Sequence, residues 1–158
     1  MGKSGTLIDC QTTHDLAVSR LADSRFCIDD WTVRTNTCSK PGYIFESATP
    51  DIVAECDGRV VAIGEVETME TISQERAEQW KSFGETCVRF YIYVPEGAEE
   101  TTARLIAKHK VMCAGVRSYS LNEENETKRV DLDQVCCNTD DHPWWLSLGS
   151  SDYNCSKS

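Results

Sequence analysis

Three carboxylates lie within a short stretch of the chain. Asp51 follows Pro50, and Glu65 and Glu67 come later with a single valine between them. On a β-strand, residues two apart point to the same face, so Glu65 and Glu67 are expected to share a face with Val61 and Ile63. Mg²⁺ prefers oxygen ligands and needs only one or two carboxylates together with a substrate phosphate. The spacing predicts a site for Mg²⁺, or for Mn²⁺ in its place, held by Asp51 and Glu65.

The position of Asp51 relative to the other two acids depends on a hairpin. Asp57-Gly58 is a strong turn signal between two apolar segments. A two-residue turn pairs Asp51 with Gly64 and sends its side chain to the opposite face. A three-residue loop, or a bulge at Gly64, pairs Asp51 with Glu65 instead. We expect the three-residue loop, because it places the acidic residues together and leaves the apolar residues paired below them.

Periodic patterns predict the elements that carry these residues. In chain order they are a helix over 12–24, a strand over 43–45, hairpin strands over 51–56 and 60–68, a helix over 71–84, a strand over 88–94, a helix over 99–110 and a strand over 116–121. Thr71 to Gln74 has the form of a capping box. Trp31 and Val33 hint at a further short extended piece. Strands joined through helices tend to run parallel, so the prediction is an α/β fold with a mixed β-sheet flanked by helices, in the order αβββαβαβ.

Composition indicates one domain with an appendage. The chain has 158 residues and a net charge of −10. Residues 1–121 are predicted to form the α/β domain, and residues 122–158 an acidic, polar C-terminal appendage with Trp144-Trp145 as its apolar anchor. The apolar runs are only strand-length, so we expect no membrane contact; the absence of a secretory pattern predicts a cytoplasmic protein. The negative charge argues mildly against a protein that simply coats nucleic acid.

Nine cysteines is a high and odd number. In a cytoplasmic protein they are expected to be reduced and to behave mostly as small buried apolar residues. An alternative is a zinc site formed by Cys136-Cys137 and His142 with Cys113 or Cys155. That alternative, a cysteine-rich metal-binding protein, lacks the paired spacing of structural zinc sites.

The longer pattern is similar to a known group of nucleases. Pro50-Asp51, followed after thirteen residues by Glu65-Val66-Glu67 on a predicted hairpin, resembles the PD-(D/E)xK phosphodiesterase superfamily and its small orphan members. The likeness covers residues 12–121, about three-quarters of the chain. It implies a restriction-endonuclease-like fold and a Mg²⁺-dependent nuclease that acts on DNA, with a homodimer as a further expectation.

The resemblance also assigns roles, and one position departs from it. Glu67 stands where the superfamily has its lysine, so Glu67 would position or activate the attacking water. The resemblance places Gln79 at the site, with Arg76 and Lys81 as alternative basic groups; an ordinary solvated helix face is the competing interpretation. If nothing replaces the lysine, the domain is a catalytically silent interaction module. If the three acids are solvated, they are only an exposed strand end.

Overall fold

A computed structural model of the chain describes residues 5–37, 42–86, 88–121 and 127–128, with side chains from residue 13 to residue 121 within those ranges. The elements, in chain order, are α1 (Gly5–Arg25), β1 (Trp31–Thr35), β2 (Ile52–Cys56), β3 (Arg59–Val66), α2 (Gln74–Gly84), β4 (Arg89–Pro95), α3 (Glu99–His109), β5 (Gly115–Leu121) and β6 (Thr127–Lys128). The order αβββαβαβ is found over the described residues up to β5, although its first strand is β1 and not the predicted strand at 43–45. Among these residues no helix combines the length and apolarity that a membrane crossing needs.

The strands form one mixed sheet in the order β1-β2-β3-β4-β5, and the two-residue β6 pairs at the edge with β5. The first two strand pairs, β1–β2 and β2–β3, are antiparallel. The pairs β3–β4 and β4–β5 are parallel, as expected for strands joined through helices. The chain therefore has an α/β fold built on a mixed sheet.

Each face of the sheet is covered by helices. Helix α1 covers one face, and its buried residues include Ala17, Val18 and Leu21. Helices α2 and α3 cover the other face, where Trp80 and Ile106 pack on the alternate residues of the strands. Burial on both faces explains why β4 is an unbroken apolar and aromatic run.

The strand predicted at residues 43–45 is wrong. Phe45 forms only an isolated bridge with Ala48, and the segment is tied down by the Asn36 side chain instead. Asn36 Oδ1 accepts a hydrogen bond from the Tyr43 backbone N–H at 2.8 Å, and Asn36 Nδ2 donates to the Pro50 carbonyl at 2.7 Å. The first strand of the three is β1, at the extended piece that the sequence only hinted at.

The helix cap also differs from the prediction. Helix α2 begins after Ser73, whose hydroxyl accepts a hydrogen bond from the Arg76 backbone N–H. Thr71, the cap expected from the sequence, donates its hydroxyl to the side chain of Glu67 instead. A local capping pattern does not specify which of two nearby hydroxyls is drawn to a competing acceptor.

The hairpin between β2 and β3 has a two-residue turn. Cys56 pairs with Arg59, and Asp57 and Gly58 have φ values of 50° and 76°. Positive φ at both central residues is the type I′ geometry, which matches the twist of the strands. The predicted three-residue loop is therefore wrong.

A β-bulge nevertheless produces the expected register. The pairing shifts between Ala54 and Glu55, where Val61 is an extra residue in β3. Beyond the bulge Val53 pairs with Ile63, as predicted, so the acidic residues at the open end of the hairpin face each other. Because of the bulge, Val61 packs in the core beneath α1 rather than on the acidic face.

Several predictions concern residues outside the described part of the chain. They are the C-terminal appendage (122–158, apart from 127–128), its Trp144-Trp145 anchor and the proposed zinc ligands beyond residue 121. Of the cysteines that are described, Cys27 and Cys113 are not disulfide-bonded, but Cys56 is. The prediction of reduced cysteines is wrong at Cys56, because spacing along the chain does not reveal which cysteines meet in space.

Candidate carboxylate site

The three predicted carboxylates lie together at the open end of the β2–β3 hairpin. Asp51 immediately precedes β2, Glu65 is the second-last residue of β3, and Glu67 immediately follows β3. Their relative exposures are 8%, 1% and 0%. An exposed acidic strand end is therefore excluded, and each carboxylate must find its compensation within the protein.

Asp51 and Glu65 hold each other's strands in place. The Asp51 backbone N–H donates to Glu65 Oε1 at 3.1 Å, and the Val66 backbone N–H donates to Asp51 Oδ2 at 2.8 Å. These bonds come one position beyond the last ladder pair, Ile52 with Gly64. The two carboxylates thus replace backbone hydrogen bonds where the strands separate.

A histidine from α1 joins the site. His14 Nε2 lies 3.2 Å from Asp51 Oδ2, and His14 Nδ1 lies 3.2 Å from Asp15 Oδ1. Burial lowers the pKa of His14, but the hydrogen bonds and negative charges of Asp51 and Asp15 outweigh it and raise the pKa to about 9. His14 is therefore a cation at neutral pH and pairs with Asp51.

His14 is not among the residues that the sequence pattern pointed to. A usable signal was present, since His14 lies four residues before Val18 and seven before Leu21, which are fully buried. Those spacings put His14 on the buried stripe of the helix. A polar side chain on such a stripe needs a partner, although the sequence does not say that the partner is Asp51.

Glu67 is enclosed by donors. Its Oε1 accepts a hydrogen bond from Trp80 Nε1 at 2.9 Å, and its Oε2 accepts the hydroxyl of Thr71. The same Oε2 lies 3.3 Å from Nε of Arg76, the ionic partner of this carboxylate. The backbone is fixed as well, because the N–H of Glu67 donates to the Tyr93 carbonyl at 2.8 Å. Glu67 is held in one orientation from several sides.

The three residues of α2 that the resemblance assigned to the site differ in whether they reach the carboxylates. Arg76 is brought to Glu67, and its side chain remains 30% exposed. Gln79 does not reach a carboxylate in these contacts; its Oε1 accepts from Arg76 Nη1 at 2.7 Å and so orients the guanidinium. Lys81 is exposed. The basic group that α2 brings to the acids is therefore Arg76, and the interpretation of a solvated face holds for Lys81.

The site carries more negative than positive charge. Burial, and then the charges of Asp51 and Glu67, raise the pKa of Glu65 well above its ordinary value of 4.5. Burial also raises the pKa of Glu67, which Arg76 and the hydrogen bonds from Thr71 and Trp80 oppose. His14 and Arg76 compensate two of the three carboxylates. Glu65 is left with the backbone N–H of Asp51 as its one hydrogen bond within the described residues.

This charge imbalance fits a divalent cation. A cation beside Glu65 and Asp51 would remove the repulsion that raises the pKa of Glu65. Over the part of the chain that is described, however, no group of three or more histidine, cysteine, aspartate or glutamate side chains is arranged to hold a metal ion. The protein ligands available to a cation are thus the two carboxylates of Asp51 and Glu65, a number that Mg²⁺ accepts when water or phosphate completes its coordination.

Comparison with known proteins does not assign the chain to a family. No protein-family model matches the chain, and no curated protein or solved structure is significantly similar to it.

Proposed function

We propose that the chain is a divalent-metal-dependent phosphodiesterase that acts on DNA, with Mg²⁺ or Mn²⁺ held by Asp51 and Glu65. The observation that carries the proposal is the state of Glu65, a carboxylate that is 1% exposed and whose pKa is raised by burial and by two neighbouring acids. A buried carboxylate pair is costly for the apoprotein, and a bound cation removes that cost.

The proposed cation would supply charge. It would neutralise a phosphate during hydrolysis and lower the pKa of a bound water. The surrounding residues would position that chemistry. Asp51 and Glu65 are each fixed by a backbone N–H, so their oxygens need no reordering when a ligand arrives.

Glu67 and Arg76 would serve beside the cation. The contacts around Glu67 leave its carboxylate fully buried, so we assign it to the positioning of Arg76 rather than to the activation of bulk water. Arg76, with a partly exposed guanidinium that Gln79 orients, would contact the phosphate. A guanidinium suits this role because its planar N–H groups match phosphate oxygens.

Metal binding is tested first, by thermal unfolding and calorimetry with Mn²⁺ and Mg²⁺. The native chain should be stabilised by about 2.7 kcal/mol at a hundredfold excess of ion over its dissociation constant. Asp51→Asn and Glu65→Gln should abolish this response. Glu75→Gln, a matched control for an exposed carboxylate on α2, should retain it. If the ions stabilise all three variants as much as the native chain, the proposed metal site is ruled out.

Cleavage is tested separately, with supercoiled plasmid and single-stranded DNA in the presence of each ion. The native chain and Glu75→Gln should nick DNA, whereas Asp51→Asn should not. Arg76→Gln should retain metal binding and lose most of the cleavage, because the phosphate contact rather than the ion is removed. The homodimer expected from the resemblance stays a prediction, and light scattering on the purified chain tests it.

A catalytically silent module is the second candidate, and two observations favour it. His14 already pairs with Asp51, and Glu67 is closed off by Trp80, Thr71 and Arg76. In this case the carboxylates hold the strand ends together and the domain serves protein contacts. Stabilisation by Mn²⁺ without cleavage of any DNA or RNA form would favour the silent module over the nuclease.

A further inference from the structure

A separate cavity lies on the other face of the sheet, between α1 and the strands. Its volume is about 150 Å³. The residues that line it are Ser24, Arg25, Phe26, Ile28, Trp31, Arg89, Tyr91, Tyr93 and Arg117. We call this space the arginine–aromatic cavity. Its tyrosines belong to the α1 side of the sheet, whereas Glu67 is held by side chains of α2. None of the three acids lines the cavity.

Three arginines from three elements converge on the arginine–aromatic cavity. Arg25 ends α1, Arg89 begins β4 and Arg117 lies in β5. Arg89 and Arg117 are only 4% and 9% exposed. The described lining contains no aspartate or glutamate, although the whole chain has a net charge of −10. Positive groups gathered around a partly enclosed space create a local potential that favours an anion.

Four of the other six lining residues are aromatic. The rings of Phe26 and Tyr91 pack edge to face, with centroids 6.3 Å apart and an interplanar angle of 88°. Phe26 also packs against Tyr93, with centroids 6.1 Å apart. The guanidinium carbon of Arg117 lies 5.6 Å from the centre of the Tyr91 ring. This stacking fixes the guanidinium direction, so less side-chain freedom is lost when an anion binds.

We infer that the arginine–aromatic cavity binds a small ligand with one phosphate or carboxylate group joined to one flat ring. The guanidinium groups supply donors in the fork geometry that these anions accept. The aromatic side chains supply surface against which a ring packs. An apolar protein cavity of about 150 Å³ accommodates a benzene ring. The arginine–aromatic cavity therefore has room for a single ring that carries an anionic group.

The probes are phenyl phosphate, benzoate, inorganic phosphate and phenol, titrated into the full chain by calorimetry at constant ionic strength. Phenyl phosphate should bind saturably and at least tenfold more tightly than either inorganic phosphate or phenol. Of these three, it alone carries both a phosphate for the arginines and a ring for the aromatic side chains. Benzoate tests whether a carboxylate joined to the ring is bound in place of a phosphate. Equal affinity for phenyl phosphate and inorganic phosphate would overturn the role of the ring.

Variants locate the binding in the cavity. Arg117→Gln should weaken phenyl phosphate binding at least tenfold, because one charged donor is lost. Arg104→Gln removes the same charge from an exposed position on α3 and should change the affinity less than twofold. Ile28→Trp fills the rim at a residue that is 39% exposed, and should abolish binding without disturbing the buried arginines. The inference is overturned if the native chain binds none of the anions up to about 10 mM, or if Arg117→Gln and Ile28→Trp both bind as the native chain does.

Discussion

Replacing Glu65 by glutamine should stabilise the metal-free protein, and the gain should depend on pH. The pKa of Glu65 is raised in the folded protein above its ordinary value of 4.5, by burial first and then by Asp51 and Glu67. As pH rises, the unfolded chain therefore loses this proton before the folded chain does. Stability that depends on the neutral carboxyl is complete below pH 4.5 and is lost as pH rises through the folded pKa.

The magnitude follows from linkage. Between the pKa of Glu65 in the unfolded chain and its pKa in the folded chain, the unfolding free energy of the native protein should fall by up to about 1.4 kcal/mol per pH unit relative to that of Glu65→Gln. Above the folded pKa the difference becomes constant. The substituted amide still offers an oxygen to the Asp51 backbone N–H, which is 3.1 Å from Glu65 Oε1. The main change is therefore the removal of a titrating group.

The assay is urea unfolding with EDTA present, at intervals from pH 5.5 to pH 8.5, for the native chain and for Glu65→Gln. Glu75→Gln, with its exposed carboxylate on α2, is the control and should show a difference that does not change with pH. A Glu65→Gln variant that is less stable throughout, or a difference that stays flat, would refute the reasoning. Glu65 would then be a structural hydrogen-bond acceptor, and the main support for the metal proposal would be lost.

Three further substitutions test the surroundings of the site. His14→Gln should cost about 2 kcal/mol below pH 6.5, and the difference should shrink as pH rises through about 9, where the native imidazolium loses its proton; urea unfolding at pH 6 and pH 10 checks this. Thr71→Val removes a hydroxyl that donates to a buried carboxylate and should lower the unfolding free energy by about 1.5–3 kcal/mol, whereas Thr71→Ser should restore most of it. Gly64→Ala places a Cβ 3.0 Å from Cζ of Phe26 and should cost about 1–3 kcal/mol; Gly42→Ala, with open space around it, is the control. A Gly64→Ala variant as stable as the native chain would show that the Phe26 ring moves aside freely.

Only part of the carboxylate site could be predicted from the local sequence pattern. The period of two along β3 correctly placed Glu65 and Glu67 on one face, and Asp57-Gly58 correctly marked the hairpin. The sequence did not reveal that Val61 is a bulge residue. A bulge is decided by how the whole strand twists and packs, since either hairpin register satisfies the local turn chemistry.

The sequence by itself determined the helices and strands up to β5 except β1, because burial imposes a period on each element that is visible in its own residues. It also determined which acids could share a face. Tertiary structure decided the partners: His14 beside Asp51, Arg76 rather than Lys81 beside Glu67, and Arg89 and Arg117 around one cavity. These residues are separated by many positions in the chain. His14 and Arg76 reach the acids because α1 and α2 pack against opposite faces of the sheet, and Arg89 and Arg117 meet through the pairing of β4 with β5. No periodicity within a single element encodes these contacts.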